Sequence, residues 1–93
     1  MNTKMYHTTD LTVNPNYYYD AKAILVGDNV YLNLTNGINS NTMYKISTSD
    51  YKISQTITLR VAPTQLFVAN GYLYYLGQYN NNYDTYLLDK IKL

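Results

Sequence analysis

The chain has 93 residues, 46% of them hydrophobic and 14% charged, with a net charge of +1. That length holds one small domain, and the composition is that of a folding chain rather than a disordered one. The sparse, balanced charge argues against nucleic-acid binding through phosphate neutralisation. The absence of cysteine excludes a disulfide framework, thiolate zinc sites and a cysteine nucleophile.

In chain order, "MNTKMYHTTDL" carries no apolar core of signal-peptide length, and no later run is long enough to insert in a membrane. "KMYHTTD" (Lys4 to Asp10) resembles a later strand, "TMYKISTSD", so residues 1–20 read as part of a repeating unit. A first full unit spans 22–59. Its strands are expected at Lys22–Val26, Val30–Thr35, Thr42–Thr48 and Tyr51–Leu59, joined by the tight turn "GDN", the longer loop "NGINSN" and the short turn "TSD". A second unit spans 65–93. Strands are expected at Gln65–Ala69, Tyr72–Gly77 and Asp84–Leu88, with "ANG" as the tight turn, "QYNNNY" as the longer loop, and Lys90–Leu93 beginning a fourth strand. Asn-Gly is a hairpin signal because both centres tolerate positive φ. "DTYLLDKIKL" is the one segment with helical character, but its counterpart "NTMYKISTSD" is rich in strand formers, and both are assigned as strands.

The two units align without a gap: Val26 meets Val68, Leu34 meets Leu76, Asn39 meets Asn81 and Tyr44 meets Tyr86, a period of 42. Periods of about 40–50 residues with several strands per repeat mark β-propeller blades. The second strands carry large residues on both faces. Val30, Leu32 and Leu34 point one way, Tyr31 and Asn33 the other; so do Tyr72, Tyr74 and Leu76 against Leu73 and Tyr75. A sheet covered on both sides has this pattern, whereas a sheet wet on one side alternates apolar with polar.

At "VGDNVYLNLTNGINSNTMYKIST" the sequence resembles bacterial β-propeller blade repeats, similar to those of the low-density-lipoprotein-receptor type. "GDNVYLNL" and "NGYLYYLG" match the turn and second strand of such repeats, and "TMYKISTSD" matches the third strand; kelch-type blades fit less well, because only Gly77 stands where they carry paired glycines. The resemblance covers roughly Ala23 to Leu93. It implies an all-β fold of up-and-down four-stranded blades, and it implies no catalytic residues. About two blades cannot close a propeller of four to eight, so the chain is expected to be a fragment or a self-associating unit, its partners being further copies or neighbouring blades.

No catalytic, metal or cofactor constellation emerges from the residues. His7 stands alone, and the six acidic residues, all Asp, fall mostly at expected turns. No facing carboxylate pair, "GxSxG" elbow or phosphate loop is present. "NNNYD" (Asn80 to Asp84) lacks the spacing of a calcium loop. "NLT" (Asn33 to Thr35) matches a glycosylation sequon but lies within an expected strand.

Topology gives the candidate site. In an up-and-down blade the second-to-third loops and the blade-to-blade link share one end, and here these are the long, polar segments. Variable loops on a rigid scaffold are where binding concentrates. Asn36, Asn39, Asn41, Arg60, Tyr79, Asn80 and Tyr83 are therefore the expected ligand-binding residues, tyrosine offering a flat apolar face and asparagine paired donors and acceptors. The expected function is a non-catalytic binding or scaffold module for a glycan, peptide or protein. The alternatives are part of a larger carbohydrate-active propeller enzyme with its catalytic residues elsewhere, and a purely structural surface or tail domain. An extracellular or cell-surface setting is favoured, although missing cysteine alone assigns no compartment.

Overall fold

A computed structural model describes residues 20–35, 41–79 and 82–93. The expected partial unit over 1–20, including His7, lies outside the described residues. Those described are all-β, with no helix. Strands β1 (Asp20–Val26), β2 (Asn29–Thr35), β3 (Thr42–Ser47) and β4 (Ile53–Thr58) form a four-stranded antiparallel sheet in chain order, and β5 (Gln65–Ala69), β6 (Tyr72–Tyr79) and β7 (Asn82–Lys92) form a three-stranded one. Neither sheet closes on itself.

Three expectations about the elements change. The "QYNNNY" loop is largely strand: β6 runs to Tyr79 and β7 starts at Asn82, with Tyr79 paired to Asn82 after an irregularity at Gln78. Lys90–Leu93 begins no new strand, because β7 continues unbroken to Lys92 and hydrogen-bonds along β6 as far as Tyr72. Finally, β4 starts at Ile53 rather than Tyr51. Tyr51 has φ +60°, in the left-handed region that ends extended pairing, and its amide closes the turn on the Ser47 carbonyl at 2.9 Å.

The core lies between the two sheets. Ile24, Val26, Tyr31, Met43 and Ile57 of the first sheet meet Leu66, Leu73, Tyr75, Leu87 and Ile91 of the second, with Leu59 and Val61 of the connecting segment in the same cluster. Met43 and Leu73 are fully buried, each worth about 1.5–3 kcal/mol in transfer free energy. Asn33, also fully buried, faces the same way, and its Nδ2 donates to the Thr42 carbonyl at 2.8 Å. Such a position offers no glycan acceptor. The edge strands β1 and β5 lie against one another.

The tight turns have two residues each, not three. Gly27 and Asp28 close β1–β2, and Asn70 and Gly71 close β5–β6. Gly27 has φ +57°, Asn70 +54° and Gly71 +80°; positive φ at both centres is the I′ pattern, and at the first centre alone the II′ pattern. Turn on turn, Gly27 matches Asn70, so the hairpins correspond at an offset of 43 residues rather than 42. The cross-strand pair Tyr31–Lys45 then matches Tyr74–Lys90, placing β3 on β7 at an offset of 45. The gap-free sequence alignment is one residue out over the hairpin, and one residue exchanges the two faces of a strand. In the corrected correspondence the inward face of the first sheet (Ile24, Tyr31, Met43) matches the outward face of the second (Phe67, Tyr74, Leu88). Its outward face (Val30, Leu32, Ile46) matches the inward face of the second (Leu73, Tyr75, Ile91).

Candidate functional site

The segment after β4 turns across the top of the second sheet and sets the geometry of one end of the molecule. Asn41 fastens its start. The Leu59 amide donates to the Asn41 carbonyl at 2.6 Å, and Asn41 Nδ2 donates to the Leu59 carbonyl at 2.8 Å, extending the β3–β4 ladder one step past Thr42–Thr58. Arg60 follows with an exposed side chain, while its amide donates to the Tyr75 hydroxyl at 2.9 Å. That hydroxyl in turn donates to Asp89 Oδ2 at 3.1 Å. Tyr75 thus ties the connecting segment to β6 and β7. Burial, opposed by the Arg60 amide and reinforced by the Asp89 carboxylate, raises its pKa above the ordinary 10.0.

Beyond Arg60 the backbone passes so close to β6 that only glycine fits. A Cβ on Gly77 would collide with the Ala62 carbonyl oxygen and stand 2.6 Å from Val61 Cγ2. Thr64 then joins the edge of the second sheet, its amide at 2.7 Å and its hydroxyl at 3.0 Å both donating to the Leu76 carbonyl.

At this same end a groove of about 440 Å³ opens between the beginnings of β1 and β5. Ala21, Lys22 and Ala23 line one side, and Thr64, Gln65, Leu66 and Phe67 the other. Phe67 stacks on Tyr74, the rings 5.2 Å apart and 6° from parallel. The groove therefore offers a side-chain amide and a hydroxyl beside an aromatic edge, a set that suits a polar ligand with an apolar side.

Of the expected ligand-binding residues, Asn41 and Arg60 lie at this end, on either side of Leu59. The amide nitrogen of Asn41 is committed to the backbone; the Arg60 side chain is exposed. Tyr79 and Tyr83 belong to β6 and β7 rather than to a loop, and their side chains lie outside what is described. Asn36, Asn39 and Asn80 lie outside the described residues altogether. The groove residues were not anticipated. Among the described residues no three His, Cys, Asp or Glu side chains gather as a metal site, and no helix is long and apolar enough to cross a membrane. Compared with known proteins, the chain matches no family model, no curated protein and no solved structure.

Proposed function

We propose that the two sheets are blades of a β-propeller and that the chain is a non-catalytic binding or scaffold module, taking a glycan or peptide at the end that carries Arg60 and the β1–β5 groove. The observation that supports this most is the coincidence of features at that end. The connecting segment, the exposed Arg60 guanidinium and the mouth of the groove meet there, on a backbone pinned by Asn41, Tyr75 and Thr64. A pinned backbone holds recognition groups in place without further ordering cost on binding. The blade reading is supported by the order of both sheets, by the contact of their first strands, and by the corrected correspondence, in which opposite faces of equivalent sheets meet.

The test is retention of the purified chain on glycan and peptide arrays, beside Arg60→Ala and Gln65→Ala, both at exposed positions. Retention by the native chain that falls about tenfold or more in either variant, with melting temperature unchanged, is the expected result. If the native chain retains nothing, the binding reading falls and a purely structural domain takes its place.

A further inference from the structure

The two sheets are not symmetric in what covers them. Met43 is 0% exposed and Tyr31 5%, because the second sheet covers them. Their counterparts on the second sheet are Leu88, 56% exposed, and Tyr74, beside Phe67 at 44%. The same holds in reverse. Leu73 and Tyr75 are buried against the first sheet, while their counterparts Val30 and Leu32 are half-buried on its outward face, where Ile46 is 7% exposed but Leu25 and Ile53 beside it are 65% and 39% exposed. Each open face is thus the structural equivalent of a face already buried inside the chain, and the two open faces are the two complementary halves of that internal interface.

We propose that a second copy of this chain docks head to tail, its β1–β4 outward face on the β5–β7 outward face of the first, repeating the contact the two sheets make within one chain. The proposal rests on the blade reading above but not on any ligand. The internal contact shows what the intermolecular one looks like: Leu88 takes the place of Met43, Tyr74 that of Tyr31, and Leu32 that of Tyr75. Lys90 is no obstacle, because its counterpart Lys45 is accommodated half-buried on the inward face of the first sheet. A heterologous contact of this kind repeats until it closes a ring or runs on as a filament. With two sheets among the described residues and about four to eight blades per propeller, closure built on those two sheets comes at roughly two to four copies.

The test is sedimentation velocity on the native chain, of mass 10.8 kDa, over a concentration series reaching on the order of 100 µM. Leu88→Asp spoils the second-sheet face. Leu32→Asp spoils the first-sheet face, and Leu25→Asp does so at a more exposed position should the Leu32 variant not fold. A shared circular dichroism spectrum shows that the variants remain folded. The expected result is an oligomer for the native chain, a monomer for each variant alone, and a one-to-one dimer when a first-sheet variant is mixed with Leu88→Asp, since each supplies the face the other lacks. A monomeric native chain overturns the proposal. So does assembly by a single variant on its own, which would mean like faces pairing, or a mixture that stays monomeric. Loss of array retention in Arg60→Ala with assembly intact leaves this proposal standing, and assembly without any retained ligand leaves only the binding reading refuted.

Discussion

At the residue scale, Tyr75 carries more than its ring. Packing alone explains why it is buried, but its hydroxyl joins the Arg60 amide to the Asp89 carboxylate across two chain segments. Tyr75→Phe keeps the ring and leaves the Arg60 amide without that acceptor, a change worth about 1–2 kcal/mol. The variant also separates a pH effect. Burial and the Asp89 carboxylate oppose the phenolate, so the folded pKa lies above 10.0, and the folded chain holds this proton more tightly than the unfolded one. The stability it contributes is complete below the unfolded pKa near 10 and is lost as pH climbs from there through the folded value. Urea midpoints at about pH 8 and about pH 11 are expected to show a larger alkaline drop for the native chain than for Tyr75→Phe. Equal drops would mean that other tyrosines and lysines account for the whole alkaline response.

At the scale of the element, the two hairpins are set by their turns. Asn70 and Gly71 both take positive φ, and a Cβ at Gly71 would touch nothing within 4 Å. Gly71→Ala therefore tests backbone preference with no steric confound. A left-handed conformation costs a residue with a Cβ about 1–2 kcal/mol, and the urea midpoint is expected to fall by that equivalent; an unchanged midpoint would show that the turn does not hold the register. These turns also explain what the sequence disclosed and what it withheld. Turn residues and strand formers were enough to place most strands, β5 to the residue, and to favour a strand over a helix at "DTYLLDKIKL". Alternation showed that both faces of β2 carry large residues. Which face turns inward was hidden, because Val26 matches Val68 in sequence while the geometry matches Gly27 to Asn70. Similar apolar residues on both faces make a one-residue slip nearly invisible to sequence comparison, yet it exchanges inside for outside. The extent of β7 was hidden for a related reason. Asp89 and Lys90 look like a turn, but Asp89 accepts from Tyr75 and Lys90 lies over the Tyr72 ring, its Nζ 4.2 Å from the centroid, so both are held within a strand.

At the scale of the whole molecule, the question is whether two sheets joined by one short segment fold as one unit or as two. Apart from one another, each sheet would leave its inward apolar face to water, and the buried cluster draws from both. Tyr31 and Met43 come from the first, Leu73 and Tyr75 from the second, and Leu59 and Val61 from the segment between. Removing one side chain at the centre of that cluster must then weaken both sheets together. Leu73 is fully buried, and Leu73→Ala is expected to cost about 2–5 kcal/mol through lost transfer energy and a residual cavity. The informative reading is where the cost appears. In native-state hydrogen exchange, the β2 amides of the first sheet should lose protection in step with the β6 amides that flank the substitution, since both report one global opening. Protection lost in β6 while β2 keeps its own would mean that the first sheet is stable by itself. The inward face bearing Tyr31 and Met43 would then be a surface the second sheet merely covers, rather than half of a shared core.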